Sequence, residues 1–373
     1  MVQFNRLYMK GQIANMTIYI SLAILLVVLG VGFEALNMYT KDNFNKPLPN
    51  YTYIIPSFVA VFFVSAFRGD FMTDYVNYRN RFNSLLSIDF FDLFKYEHNI
   101  EFGYVLLNGF IQLFTDNSLY LFVITTIIIL VCFYHQFSKY STKIWLSLLM
   151  FITVGSYYAS FNITRQIMVA AILFAGSKFL YERKLFKYIL VVIVAFMFHK
   201  SALIMIPFYF ILNFRINFRN LFLFFATSTI LVFFFDGFLD IVQNFVYDNY
   251  TEDSYGMTGQ SVAKTVLPVA FFIFSLLNVR KLDSNNAMHR IWFNAIFFYS
   301  LFNVLALQVE MVERIGRYFA PYALLLIPYL FSKMQNKYLR FIYMMALIFM
   351  LVLYNFVILN DSTFDPYYFI WDK

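Results

Sequence analysis

The sequence predicts an all-α integral membrane protein, with about twelve transmembrane helices and one shorter helix near residues 102–114. Three observations predict this class: 61% of the 373 residues are hydrophobic, only 13% are charged, and the apolar residues fall in long runs. A soluble globular chain carries about 25% charged residues, so an ordinary water-soluble enzyme is excluded. The lone Cys132 allows no intrachain disulfide, and the four histidines lack metal-ligand spacing.

Each predicted span is an apolar run that can cross the hydrocarbon as a helix, which satisfies its own backbone hydrogen bonds there. In chain order the twelve predicted spans are 17–36, 51–67, 118–134, 144–161, 166–181, 188–198, 201–214, 221–235, 264–279, 291–309, 317–332 and 341–359. The run 102–114 is too short to span comfortably, so it is predicted to be a re-entrant or interfacial helix. We expect one membrane domain over 1–373, with extracytoplasmic loops at 68–101 and 236–262.

The distribution of lysine and arginine between loops predicts the orientation, because cationic loops remain in the cytoplasm. From residue 135 onward the cations gather in every second loop. The residues that define this cytoplasmic set are Lys139, Lys143, Arg183, Lys184, Lys187, Arg215, Arg219, Arg280, Lys281, Arg290, Lys333, Lys337 and Arg340. The loop 236–262 contains no lysine or arginine, so it and the C-terminal tail are predicted to face outward. Charge is balanced around the first span, and the shortness of 102–114 favours an outward loop at 68–101.

Four polar clusters interrupt the apolar runs on the predicted outer side, where ionisable residues are costly unless they face a partner, a cavity or the interface. Their sequences are RGDFMTDYVNY at 68–78, FNITRQ at 161–166, FHKS at 198–201 and EMVERIGRYF at 310–319. Each cluster has a simpler interpretation: Arg68 as an interfacial anchor, Arg165 as a snorkelling side chain, and His199 as a hairpin tip. Glu313 and Arg317 are spaced to form a local ion pair. Asp70 and Asp74 would be like charges on one helix face, so the simpler interpretation makes each a solvated loop residue.

The coincidence of these clusters on one side favours a functional interpretation. Four arginines would bring positive charge to an otherwise cation-poor surface: Arg68, Arg165, Arg314 and Arg317. A guanidinium fork can bind two oxygens of an anionic group such as a diphosphate. The candidate proton acceptors are Asp70, Asp74, Glu101 and His199. Together with tyrosine and asparagine side chains suited to sugars, the pattern predicts a site for a lipid-linked diphosphate sugar.

The clusters resemble the motifs of the EpsG-like family of bacterial exopolysaccharide polymerases, which is related to the Wzy-type O-antigen and capsule polymerases. The resemblance covers most of the chain. The matching residues are Arg68, Thr73, Asp74 and Tyr78, then Glu101, Gly103 and Tyr104, then Asn162, Arg165 and Gln166, then Phe198, His199, Ser201 and Ala202, then Tyr247 and Tyr250, then Arg314, Tyr318 and Phe319, and finally Pro366 and Tyr367. Met72 stands where the family usually has glycine, which makes the local turn a departure from the pattern.

The resemblance implies a GT-C-like fold and a membrane glycosyltransferase in the bacterial inner (cytoplasmic) membrane, with its active site facing the periplasm or the exterior. Such an enzyme joins repeat units carried on undecaprenyl diphosphate during O-antigen, capsule or exopolysaccharide synthesis. The implied partners are the lipid-linked oligosaccharide, membrane lipid and a co-polymerase that sets chain length, with no nucleic acid. No cofactor or nucleotide is expected, because the lipid diphosphate carries the activation energy.

The expected catalytic residues are Arg165, His199, Asp74 and Arg314. Arg165, with help from Arg314 or Arg317, would stabilise the leaving diphosphate, and His199 or Asp74 would take the proton of the attacking hydroxyl. The expected substrate-binding residues are Arg68, Tyr78, Glu101, Asn162, Gln166, Arg317, Tyr318, Tyr247 and Tyr250. Transfer without a metal is expected, with Asp70 and Asp74 as the alternative ligands of a divalent ion.

Two other functions remain open from the sequence. An O-antigen ligase uses the same donor and the same chemistry, but it usually has a larger outer loop than 236–262. A flippase or secondary transporter of lipid-linked glycan would also be a many-helix protein with buried arginines. Such transporters often contain an internal repeat and broken helices at the bilayer midplane, and the sequence shows no such repeat.

Overall fold

The computed structural model of the chain describes residues 2–44, 46–95, 100–235, 237, 259–359 and 367–372, with the backbone alone at 2–17 and 44. Within these ranges the regular structure is α-helical, apart from short 3₁₀ helices and an isolated β-bridge. The predicted all-α class is therefore confirmed. The chain divides into two compact units, unit 1 with residues 1–171 and 355–373, and unit 2 with residues 172–354. The assignment of the chain to one domain stays a prediction.

Unit 1 is built around long helices at its two ends and a cluster of shorter ones between them. In chain order its helices are α1 (Val2–Phe44), α2 (Tyr51–Ala66), α3 (Thr73–Leu85), α4 (Phe102–Gln112), α5 (Leu119–Tyr140), α6 (Ile144–Thr153), α7 (Ser156–Asn162) and the first part of α8 (Thr164–Ala175). Helix α1 packs on α2 and α6, and α2 packs on α5. Gly155 separates α6 from α7 with a φ of 93°, a left-handed conformation that favours glycine.

Unit 2 is built around a helix that is buried along almost its whole length. Its helices are α9 (Ser177–Tyr181), α10 (Leu185–Phe196), α11 (Met205–Ile211), α12 (Phe218–Phe233), α13 (Val262–Leu277), α14 (Ala287–Leu305), α15 (Glu313–Gly316), α16 (Ala320–Ser332) and the greater part of α17 (Lys337–Leu359). Helix α14 packs on α13 and α16, and phenylalanine rings fill the space around it. The buried Asn294 amide donates to the carbonyls of Leu212 and Phe214, at 3.0 and 2.9 Å.

The number of helices that can span a membrane is smaller than predicted. Among the described residues three helical segments are long and apolar enough, namely Ile18–Asn43, Leu119–Tyr140 and Lys337–Leu359. The bent pair Ile144–Thr153 and Ser156–Asn162, with a 45° angle between its members, makes a fourth if it is one span. The other apolar helices have 10–17 residues, less than the ~20 that cross the hydrocarbon. The count of about twelve spans is therefore not confirmed.

Local breaks explain why several predicted spans are shorter in the structure. The predicted run 166–181 divides at Gly176, where an added Cβ would lie 2.5 Å from Val191 Cγ1. Glycine is required at this position because Val191 of α10 packs directly against the backbone of Gly176. The predicted run 201–214 begins as a 3₁₀ helix at Lys200–Ile204 and continues as α11. The apolar pattern is continuous across both breaks, so composition alone does not reveal them.

Glu34 connects the end of α1 to the start of α6. Its carboxylate accepts hydrogen bonds from Lys143 Nζ at 2.7 Å and from Trp145 Nε1 at 2.6 Å. These contacts hold α1 near Glu34 against the start of α6 within unit 1. Helix α4 has 11 residues and is about 16 Å long, too short to cross ~30 Å of hydrocarbon. The geometry agrees with the predicted short, non-spanning helix at 102–114.

The C-terminal tail pairs with the segment that follows α2. Gly69 N donates to Tyr368 O at 2.8 Å, Ile370 N donates to Phe67 O at 3.1 Å, and Arg68 and Phe369 form an antiparallel bridge. A Cβ on Gly69 would lie 2.1 Å from Tyr368 Cε2, so only glycine permits this approach. The described part of the tail therefore lies beside the segment after α2. The outward orientation of both stays a prediction.

This topology can be tested with cysteines placed before α2 and within α3, in a chain whose Cys132 is replaced by serine. Lys46 and Asn80 are both exposed, and α2 lies between them. We expect Asn80→Cys to react with a membrane-impermeant maleimide in intact spheroplasts and Lys46→Cys to react only after permeabilisation. Protection of Asn80→Cys in intact spheroplasts, or equal labelling of both positions, would contradict the arrangement.

Candidate active site

Two of the four sequence clusters, at 68–78 and 161–166, meet the Glu101–Tyr104 motif around Arg165 in unit 1. Arg165 lies at the start of α8, and its Nη1 donates to Glu101 Oε2 just before α4. The guanidinium carbon lies 5.7 Å from the ring centre of Tyr78 on α3 and 5.5 Å from that of Tyr104 on α4. The two rings are themselves 5.6 Å apart. Residues from three separate helices thus surround one guanidinium group.

The Arg165 guanidinium is only partly accessible, and it keeps hydrogen-bonding capacity. Its side chain is 22% exposed and that of Glu101 is 12% exposed. The buried Nε of Arg165 has no hydrogen-bond partner among the residues that the structure describes. Burial raises the pKa of the Tyr78 phenol, although the Arg165 charge opposes that rise. The phenol therefore stays protonated at neutral pH and can donate a hydrogen bond to a ligand oxygen.

Asn162 joins the beginning of α3 to this cluster. Asn162 is three residues before Arg165 in the chain. Its Oδ1 accepts a hydrogen bond from the backbone N of Asp74 at 3.0 Å. Asp74 lies in the first turn of α3, where the helix dipole stabilises its negative charge. Tyr78 is one turn further along the same helix, so Asp74 lies on the helix face that carries Tyr78 to Arg165. Gln166, which follows Arg165, is buried.

The two aspartates of the first cluster do not share a helix face. Asp70 precedes the start of α3, as its interpretation as a loop residue predicts, whereas Asp74 lies inside the helix, so that interpretation is wrong for Asp74. The Asp70 carboxylate accepts hydrogen bonds from Arg79 Nη1, at 2.6 Å, and from the Tyr368 hydroxyl. The tail pairing beyond α2 holds Asp70 in that irregular segment.

Arg68 lies in the interior of unit 1. Its side chain is 1% exposed, and its Nη1 donates to the carbonyl of Ser65. The rings of Tyr75, Phe122 and Phe161 lie 5.0–5.5 Å from its guanidinium carbon. Its Nε and Nη2 have no hydrogen-bond partner in the described ranges. Arg68 is therefore held by cation–π contacts, and its role in substrate binding stays a prediction.

The other two clusters contact each other in unit 2. The hydroxyl of Ser201, in the FHKS segment, forms a hydrogen bond with the hydroxyl of Tyr318 in the EMVERIGRYF segment. His199 is half-buried at the start of the 3₁₀ helix. Arg317 Nε donates to Glu313 Oε2 at 2.6 Å, which confirms the predicted local ion pair. Their neighbour Arg314 is half-buried on α15, and its catalytic role stays a prediction.

A model of the EpsG family matches residues 51–370, which is most of the chain. The chain belongs to the EpsG family. No curated protein and no solved structure gives a match. Membership implies a polymerase connected with exopolysaccharides, and the long apolar helices indicate a membrane protein.

The structure shows contacts that the sequence motifs of this EpsG-family chain did not predict. Tyr104 was matched as a motif residue, but its position against Arg165 was not expected. Arg79 and Tyr368 bind Asp70, and Lys264 Nζ pairs with Glu310 Oε1 at 2.9 Å in unit 2. Arg79 lies one helical turn after the motif neighbour Tyr75, a spacing that could have identified it.

Some of the expected site residues lie outside the described residues. These are Tyr247, Tyr250 and Pro366. In the described ranges, no three of the side chains that commonly bind metals come together. The acid–base pairs that involve cluster or motif residues within the described ranges include Asp70 with Arg79, Glu101 with Arg165, Glu310 with Lys264 and Glu313 with Arg317. Each of these carboxylates therefore has a basic partner within reach.

Removal of the Glu101 carboxylate should destabilise unit 1, because it leaves the partly buried Arg165 without its anionic partner. We expect Glu101→Ala to lower the free energy of unfolding by about 1–3 kcal/mol, measured by denaturant or thermal unfolding in detergent. The double variant Glu101→Ala, Arg165→Ala removes the stranded charge and should recover part of the loss.

The matched control for this prediction is Glu182→Ala. Glu182 pairs with Lys184 at 2.7 Å in an exposed loop, where an ion pair contributes about 0–1 kcal/mol. Equal losses of stability in Glu101→Ala and Glu182→Ala would show that the contact with Arg165 contributes no more than a surface pair.

Proposed function

We propose that this protein is a polysaccharide polymerase that joins repeat units carried on undecaprenyl diphosphate, by glycosyl transfer on the outer face of the inner membrane. The observation that carries the proposal is the convergence of three family motifs on Arg165. Tyr78, Glu101 and Tyr104 come from different parts of the sequence and all contact this one guanidinium. Membership of the EpsG family supports a polymerase of exopolysaccharide type.

Arg165 is suited to bind the diphosphate of the donor. When the bond between the sugar C1 and the diphosphate oxygen breaks, the electron pair stays on that oxygen and negative charge develops there. A guanidinium has five N–H groups, and Arg165 uses one of them on Glu101. The buried Nε and the remaining Nη groups can therefore stabilise the departing oxygens, and a preorganised charge does so without reorganisation at the moment of reaction.

Glu101, Tyr78 and Tyr104 would serve mainly to position this group. The carboxylate fixes one edge of the guanidinium, and the two rings limit its sideways movement. A positioning residue of this kind reduces the entropy that must be lost when the substrate binds. The protonated Tyr78 phenol can also donate a hydrogen bond to a sugar or phosphate oxygen.

Asp74 is the base that unit 1 supports for the attacking sugar hydroxyl. The backbone N of Asp74 donates to Asn162, which is three residues before Arg165 in the chain. Asp74 also lies on the face of α3 that carries Tyr78. The hydroxyl oxygen would attack the donor C1, and its proton would pass to the Asp74 carboxylate. His199 in unit 2 stays the alternative base, as the sequence predicts. A divalent ion shared by Asp70 and Asp74 is not favoured, because Asp70 accepts from Arg79 and Tyr368.

The role of Arg165 can be tested by reconstitution of the protein in liposomes with lipid-linked repeat units extracted from the host. We expect Arg165→Ala to reduce elongation at least about 10²-fold, since it removes the charge that stabilises the leaving group. Arg165→Lys should be intermediate, because it keeps the charge but loses the planar fork. Product length is read by gel electrophoresis of the released glycan.

The matched control is Arg81→Ala, a half-buried arginine of α3 that forms no ion pair with the residues that the structure describes. It should insert and elongate normally. Native-length polymer from correctly inserted Arg165→Ala would refute the proposal. Movement of lipid-linked oligosaccharide without elongation would indicate the transporter alternative, and transfer to lipid A core alone would indicate the ligase.

The choice of base can be tested by comparing Asp74→Asn with His199→Gln in the same assay. Asp74→Asn keeps the backbone hydrogen bond to Asn162 but removes the proton acceptor. We expect it to lower the elongation rate by about 10²–10⁴-fold, whereas His199→Gln should lower it far less. The reverse order of the two effects would assign the base to His199.

A further inference from the structure

A cavity of about 230 Å³, with both polar and apolar walls, lies in unit 1 where α3, the start of α5 and the C-terminal tail come together. Its polar and aromatic walls are formed by Asp70, Tyr75, Arg79, Asn117, Ser118 and Tyr368. These residues come from the segment before α3, from α3 itself, from the chain just before α5 and from the tail. The family motifs assign a role to none of this set. The cavity is smaller than the ~300 Å³ at which sites for drug-sized ligands begin.

The walls of the cavity are held by direct contacts. Asp70 accepts hydrogen bonds from Arg79, at 2.6 Å, and from the Tyr368 hydroxyl. The ring of Tyr75 stacks on Phe122 with centroids 3.7 Å apart and an interplanar angle of 7°. The hydrogen bond from Gly69 N to Tyr368 O fixes the position of Tyr368 in the tail. A ligand would therefore meet groups that are already in place, which lowers the entropy lost on binding.

The charges of the cavity favour a neutral, hydroxyl-rich ligand over a phosphate. The positive charge of Arg79 is balanced by the negative charge of Asp70, so the lining has no net charge to attract a diphosphate. The Arg79 side chain is 37% exposed and has one N–H on Asp70, which leaves donors for hydroxyl oxygens. Asn117 Oδ1 accepts from Leu119 N at 2.9 Å, which leaves its NH₂ group as a donor.

We infer that this cavity binds one sugar residue of the glycan, with Arg79 and Asn117 as hydrogen-bond donors and the Asp70 carboxylate as acceptor. The inference rests on the proposed function, because that function brings the glycan to unit 1. Tyr75 directly follows Asp74 on α3, so the cavity and the proposed base are carried by the same helix turn. Arg79 and Asn117 are thereby specificity-determining residues, which select the sugar that is presented to the reaction.

The experiment measures binding of a soluble glycan to the whole protein in lipid nanodiscs. The probe is the oligosaccharide released by mild acid from the lipid-linked intermediates of the host, titrated by calorimetry or by saturation-transfer NMR. We expect Arg79→Gln and Asn117→Asp to weaken binding roughly ten-fold each, as the loss of one good hydrogen bond to a polar ligand does. Asn117→Asp keeps the oxygen that accepts from Leu119 N, so it should fold normally.

The matched control is Arg81→Gln, two residues beyond Arg79 on the same helix, which should bind as the native protein does. Inorganic pyrophosphate should not displace the oligosaccharide. No binding by the native protein, undiminished binding by both cavity variants, or displacement by pyrophosphate would overturn the inference. Arg165→Ala separates the two proposals: if it abolishes elongation while both cavity variants bind and elongate normally, only the sugar cavity is refuted.

Discussion

A guanidinium group removed from water has to be surrounded by groups that replace its hydration, and unit 1 is organised around two of them. Arg165 is held by a carboxylate and two tyrosine rings, whereas Arg68 is held by a carbonyl and three aromatic rings. The desolvation of each charge is costly, so the contacts that offset it must be made by several elements together. These contacts therefore fix the relative positions of the helices that supply them, which are α2, α3, α4, α5, α7 and α8.

The two arginines differ in how accessible they are to a ligand. Arg68 is wholly buried beneath rings, so its charge mainly stabilises the local packing. Arg165 is partly exposed and paired with an acid, which leaves a positioned cation that a ligand can reach. Asp70 and Arg79 form a third arrangement, a neutral pair beside a cavity. One unit thus contains a positioned cation and, separately, a neutral ion pair beside a cavity.

The backbone of the C-terminal tail completes this arrangement, although it is far from α2 in the sequence. Its pairing with the segment after α2 depends on the absence of a side chain at Gly69. Tyr368 then reaches Asp70, which places a tail residue in the wall of the cavity. A membrane protein gains little from apolar burial against lipid, so such polar and backbone contacts have a large share in selecting one arrangement of its segments.

By itself the sequence determined the helical class, the short helix before α5, the ion pair of Glu313 with Arg317 and the motif residues that contact Arg165. These follow from apolar periodicity, from helix spacing and from motif order, which are local properties. Only the tertiary structure decided where the long apolar runs break, that Asp70 is paired with Arg79 instead of solvated, and that the tail lines the cavity. The reason is that these features depend on contacts between segments far apart in the chain, which a pattern of residue types does not specify.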